Sequence, residues 1–443
     1  MAAAAPPRWI GIALAATVFV VAASRPAQAN GAFPDSVGIL LPVDRPKEIR
    51  LATNFGVISS EDAGKTWSWS CEQPLSSLAN LYQVGAPPMD RIFTLSSNGL
   101  IFSDDGTCGW TQSKPTPDTA LLTDFFPDPG DPNHVLAIIL PNTADLEAEG
   151  IYGSTDGGAN FGDALFKAPI DGGMTGIEIS RSDPHIAYAA MYERPGVHPR
   201  IVKSTDGGAT WGTPIDVEAS LGQNSFRIIA IDPTNPQKLY LRVQEPLLES
   251  LAISDDGGMT FKKPVTFPIM MGAFARLASG TILSAGFKYD AQGLMTPIGY
   301  RSTDGGATFA SWDNIPSFRA LAERGGVLYG SADNFKDPFA LGSSTDEGLT
   351  WTALMKFSQV SSINGCVQTT CAGSCASQVK QKLWSSATCS PSKGGCSVSR
   401  PWDKSRTGGV AFIAAAAYLL GVRTRRRRRR RGRAPLDSSP TAG

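Results

Sequence analysis

Histidine is almost missing from this chain: three residues in 443, His134, His185 and His198. His134 and His185 each follow an Asp-Pro pair within a turn signal. That scarcity argues against a metal or catalytic centre built on imidazole, and no loop has EF-hand spacing, so no cofactor is expected. Charge of one sign is lacking too, with 40 basic and 40 acidic residues. The balance is uneven along the chain. Residues 1–29 hold an excess of two positive charges and residues 397–443 an excess of ten, which leaves 30–396 at −12. An acidic body argues against nucleic acid or anionic lipid as a partner. The apolar run 408–422 is fifteen residues long, short of the roughly 20 that a free-standing span needs.

The ends of the chain read as sorting signals. Residues 1–29 combine Arg8, an apolar stretch over 10–23 and Ala27-Gln-Ala29. This is the pattern of a secretory signal peptide cleaved after Ala29. At the other end, 408–422 is followed by Arg423, seven consecutive arginines at 425–431 and Arg433. Behind an export signal and an apolar segment, such a cluster reads as a stop-transfer element oriented with its arginines on the cytoplasmic side, rather than as a nucleic-acid patch.

Seven cysteines fit export: Cys71, Cys108, Cys366, Cys371, Cys375, Cys389 and Cys396. Setting Cys396 aside leaves six that can pair. The expectation is a Cys71–Cys108 bridge, with Cys366, Cys371, Cys375 and Cys389 forming two more in a small stalk over 363–396, connectivity open. Zinc is the competing reading of that cluster. It is disfavoured by the oxidising compartment and the lack of histidine among the four.

The dominant signal is a repeat. Seven octets follow, closely or loosely, one pattern: Ser, then Asp two residues on, Gly four on, Thr six on and an aromatic seven on. The cleanest are Ser204-Thr-Asp206-Gly-Gly208-Ala-Thr210-Trp211 and Ser60-Glu-Asp62-Ala-Gly64-Lys-Thr66-Trp67. Others start at Ser154, Ser254, Ser302 and Ser344, with Asp156, Asp256, Asp304 and Asp346. A worn copy at Ser103 keeps Asp105 and Trp110. Starts lie 42 to 51 residues apart, the period of a propeller blade. Each octet reads as a hairpin corner: Asp accepts backbone N–H groups, Gly allows positive φ, and the aromatic opens the next strand. Asx-Pro turns at Asp131-Pro132, Asp183-Pro184 and Asn235-Pro236 precede octets by about 20 residues. Blade 4 then parses into strands over about 176–181, 186–193, 199–204 and 210–216, and blade 1 over 37–42, 48–53, 55–60 and 66–71. Tyr188 and Tyr240 read as core.

The octet resembles the Asp-box, or BNR repeat, of sialidases, sortilin-type receptors, xyloglucan-specific endoglucanases and photosystem II assembly factors. The resemblance covers about 33–362 and implies an all-β, seven-bladed propeller with four-stranded blades over 30–362. It also implies that the seven aspartates shape turns and do no chemistry. Gly394-Gly-Cys396-Ser, the apolar run and the arginines resemble the MYXO-CTERM sorting signal of myxobacteria, covering 397–443. That resemblance implies a transmembrane segment at 408–422, a processing protease, a lipid anchor at Cys396 and display at the cell surface.

Boxes and Asx-Pro turns share one face. Loops between second and third strands share the other, and they lengthen in blades 3 to 7. Departures from a repeat are where binding residues concentrate. The candidates on that face are Glu147, Glu149, Arg194, Glu245, Asp290 and Asp333, with His198, Lys288, Tyr289 and Lys336 nearby. They form no recognised catalytic constellation. A sialidase would need an Arg-Ile-Pro near the first strand. The chain offers Arg45-Pro46 and Phe226-Arg227-Ile228, which do not match. The expected function is a surface-displayed binding propeller with a protein or glycan ligand; the alternative is a secreted, sialidase-like glycoside hydrolase.

Overall fold

The structure, a computed structural model, describes residues 34–71, 81–88, 91–96, 99–114, 121–141 and 148–390. Ala29, Glu147, Cys396 and the 408–422 segment lie outside them. Among the described residues no helix is long and apolar enough to cross a membrane.

Seven antiparallel sheets of four strands follow one another along the chain, one blade per repeat. Blade 4 is Gly173–Ile179, Ala187–Glu193, His198–Ser204 and Ile215–Asp216. Blade 1 is Ser36–Leu40, Ile49–Thr53, Gly56–Ser60 and Ser68–Cys71. The expected strands are therefore found, with the outer one of blade 4 much shortened. The hydrophobic core lies between blades. Ile138 and Ile151 of blade 3 pack with Ile177, Ala189 and Val202 of blade 4. A second strand is covered on both faces, which is why Val135–Leu140 is an unbroken apolar run instead of an alternating one. Tyr188 and Tyr240 are fully buried in such strands.

The four antiparallel strands of every blade are a contiguous stretch of sequence, so among the described residues no strand of those ladders is exchanged between blades 7 and 1. Side chains bridge the seam. Arg319 Nε meets Asp35 Oδ2 at 2.7 Å, and Arg324 donates to the carbonyls of Pro42, Pro46 and Glu48 at 2.7 to 3.1 Å.

The tail then crosses the same seam. Ser362–Ile363 adds a parallel fifth strand to the outer edge of blade 1. Cys366 bonds to Cys108 in the blade 2 corner, and Cys371, on the helix Gln368–Lys380, bonds to Cys71. Cys375–Cys389 closes the tail on itself. Trp384 packs on Trp69 with ring centroids 5.0 Å apart, burying both.

Two expectations are corrected here. Cys71 and Cys108 do not pair with each other, and the described cysteine-rich segment is docked on the ring instead of standing off as a stalk. Strand alternation supplies the reason. Ser70 turns its hydroxyl toward blade 2, accepting from Thr107 at 2.7 Å. The next residue, Cys71, therefore points to the opposite side of the sheet, where it joins Trp69 beneath the tail.

Candidate functional site

The octets build corners. Ser204 Oγ donates to Asp206 Oδ1 and accepts from Gly208 N–H, both at 2.8 Å. The Thr210 N–H and hydroxyl donate to the two Asp206 oxygens at 2.8 and 2.5 Å. Trp211 Nε1 reaches back to the Gly208 carbonyl at 2.9 Å. The threonine bonds recur at Asp62, Asp256, Asp304 and Asp346, and the indole bond at Trp67 and Trp351. Asp156 uses Asn160 in place of threonine, and Asp105 takes the N–H groups of Cys108 and Gly109. Donation from the Thr210 hydroxyl and N–H holds Asp206 down to about 2. The corners of blades 3, 4 and 5 are tied to their own blade's Asx-Pro turn, by Gly157 N–H to the Asn133 carbonyl at 2.7 Å and by Gly207 and Gly257 N–H to the His185 and Gln237 carbonyls at 2.8 Å. Gly208 has φ +90°, and a Cβ there would lie 2.7 Å from Leu136. The aspartates occupy seven separate turns; they share no pocket.

On the opposite face the described candidates are spread over five blades. Glu149 accepts from Thr123 Oγ1 at 2.8 Å and Met174 N–H at 2.6 Å. Arg194 lies over the Tyr192 ring, 5.7 Å from its centroid. Glu245 takes Ser250 and Lys263 at 3.0 and 2.9 Å. Asp290 closes its own turn through the Gln292 and Leu294 N–H groups. Asp333 does so through Phe335 and Lys336. None of the five bonds to another.

What this face does concentrate is apolar surface. Of thirteen exposed large hydrophobic residues among the described ones, nine are at the loop-rich ends of strands or in blade-to-blade links there. They include Leu121, Leu140, Ile170, Leu247, Tyr289 and Leu294. Leu247, Leu294 and Tyr289 are 88, 68 and 64% exposed. Between blades 5 and 6, Leu247 and Tyr289 line an open cavity of about 450 Å³ together with Glu245, Pro268 and Ile269. The sequence signal was the long loops; their apolar tips were passed over in favour of charged residues.

A second feature escaped the sequence reading. The first strands of the blades ring an axial channel with cavities of about 570 and 480 Å³. Asp124, buried, accepts from Arg227 Nη2 at 2.5 Å and from Ile177 N–H at 3.0 Å. Burial pushes its carboxyl up, against the pull of Arg227. Glu178 has no hydrogen-bond partner among the described residues; burial and then the charge of Asp124 raise it to about 8. The visible clue was a charged residue between apolar neighbours in inner strands, Ile177-Glu178-Ile179 and Phe226-Arg227-Ile228. No group of three or more metal-ligating side chains occurs among the described residues.

No protein-family model and no curated protein matches the sequence. Solved structures do. The chain is similar to a puromycin-hydrolyzing peptidase of Mycobacterium tuberculosis at 12% identity and TM-score 0.50, over 74% of this chain and 54% of that one. It is similar to a GH74 enzyme of Niastella koreensis at 16% identity and TM-score 0.41, over 72% of this chain and 65% of that one. YCF48 from Cyanidioschyzon merolae matches at 14% identity and TM-score 0.46, over 67% of this chain and 92% of that one. The chain thus spans less than two thirds of either enzyme. Likeness at these identities concerns the propeller fold alone.

Proposed function

We propose that this chain is an exported Asp-box propeller, displayed at the cell surface, that docks a protein partner on its loop-rich face. The observation that carries the reading is the gathering of nine of the thirteen exposed large hydrophobic residues on that face, with Leu247 and Tyr289 at the cavity between blades 5 and 6. Large apolar residues exposed together on one face favour an interaction surface there. Aliphatic tips favour a protein over a glycan, which is gripped by aromatic platforms and free polar groups. The charged loop residues are engaged in shaping the loops, which suits a rigid docking surface better than a hydrolytic pair of carboxylates. Three disulfides agree with an oxidising, exported setting. Surface display rests on the sequence signals at the two ends, with the MYXO-CTERM-like segment as the route to a processed, lipid-held form.

The test compares the whole protein with its Leu247→Asp/Leu294→Asp variant in pull-downs from an envelope extract of the native host, alongside a panel of fluorogenic glycosides. The reading expects a protein captured by the wild type and lost from the variant at unchanged Tm. Capture that ignores the substitutions, or glycoside turnover abolished by changing one loop carboxylate, overturns it.

A further inference from the structure

The axial channel carries chemistry that the loop face does not use. Six charged side chains line its two cavities: Arg181, Arg227, Arg276, Arg324, Glu178 and Glu323. Four guanidinium groups face two carboxyls there, inside a body, residues 30–396, of net charge −12; Asp124 and Asp232 pair with Arg227 and Arg276, which leaves Arg181 and Arg324 as the cations without an ion-pair partner among the described residues. Three of the arginines have structural work. Arg276 is held by Asp232 at 2.8 Å, Arg324 by blade 1 carbonyls and Arg227 by Asp124. Arg181 forms no hydrogen bond or ion pair among the described residues. Glu178, in the same cavity, also lacks a hydrogen-bond partner. The wall also carries Ile179, Ile229, Ile231 and Leu321, with Tyr82 and Gln83 beside them.

A guanidinium and a carboxyl without hydrogen-bond partners among the described residues, in a cavity that also offers isoleucine and leucine side chains, match a ligand with an anionic head and an apolar body. We propose that the channel binds a small organic anion, its oxyanion head held at Arg181 and Arg227 beside Glu178, its apolar body against Ile229 and Leu321.

The state of Glu178 agrees. Burial and Asp124 of blade 3 raise it to about 8, while Arg181 of its own blade and Arg227 of blade 5 act in the other direction. Tyr82 of blade 2 is the remaining titratable group on this cavity. Below that value the carboxyl is neutral and can donate to an oxyanion. Above it the carboxylate repels one. With only the neutral form competent, affinity falls about tenfold between pH 7 and 9.

Calorimetric titration of the whole protein tests this with octanoate, and with inorganic phosphate and octylammonium in parallel. Octanoate is expected to bind, phosphate at least tenfold more weakly and octylammonium not at all. Arg181→Gln, an exposed position, weakens octanoate at least tenfold at unchanged Tm. Glu178→Gln binds equally at pH 7 and 9, whereas the wild type loses about tenfold. Leu247→Asp leaves octanoate affinity unchanged, which keeps this site separate from the loop face. Absent octanoate binding, octylammonium binding of equal strength, phosphate equal to octanoate, or a wild-type affinity independent of pH would each overturn the proposal.

Discussion

Reducing the tail clasp should open the propeller at its seam, and the magnitude follows from chain connectivity. Cys71–Cys371 and Cys108–Cys366 close separations of 300 and 258 residues. With either one in place, the second closes only the short path between the two bridges, roughly forty residues, worth about 4 kcal/mol by loop entropy. With neither in place, the first closes nearly the whole ring, worth about 5.5 kcal/mol. Cys71→Ser/Cys371→Ser should therefore cost about 4 kcal/mol, and the quadruple variant about 9 to 10. The quadruple loss exceeds twice the single-bridge loss by about 1.5 kcal/mol, because the second removal frees the longer loop. It consumes most of the roughly 5–15 kcal/mol that holds a typical domain together. Urea denaturation of the four proteins, followed by near-UV signal, measures this. A quadruple variant no less stable than either double variant would refute the clasp, since the ring would then close without its tail.

Other consequences are quicker to check. Trp384→Ala empties a buried site against Trp69 and should cost about 3–5 kcal/mol, read as a lower urea midpoint together with faster reduction of Cys71–Cys371. Gly208→Ala forces a Cβ to 2.7 Å from Leu136 at φ +90° and should lower Tm more than the same change at Gly293, where nothing lies within 4 Å. At Asp62, Asp206, Asp256 and Asp346 the carboxyl is depressed to about 2, so its stabilisation is complete above the unfolded value of about 4 and is lost as pH falls toward 2. Asp206→Asn should flatten the Tm profile over that window, and an unaltered profile would show that the corner carries no charge-dependent stability.

The blades were legible because a repeat averages over local ambiguity. Six copies of Ser-x-Asp-x-Gly and the worn one at Ser103 fix where third strands end, and the Asx-Pro turns fix where second strands begin. The short outer strand of blade 4, Ile215–Asp216, was overdrawn because Thr210 and Trp211 spend their polar groups on the corner instead of on a ladder. The disulfides were misread because proximity of Cys71 and Cys108 in sequence and blade order says nothing of side-chain direction, which Ser70 decides. The channel was missed because an inner strand with one charged residue among isoleucines looks like any half-exposed strand. Only ring closure shows that Glu178 faces the axis and not the outside. On the loop face, the charged residues Glu149, Glu245, Asp290 and Asp333 drew attention although their oxygens serve nearby donors.

Hydrogen-exchange mapping of the whole protein with and without host envelope extract tests the docking face most directly. Slowed exchange in 245–251 and 288–296 is the predicted result. Protection confined to the corner turns around Asp62, Asp206 and Asp304 would contradict it.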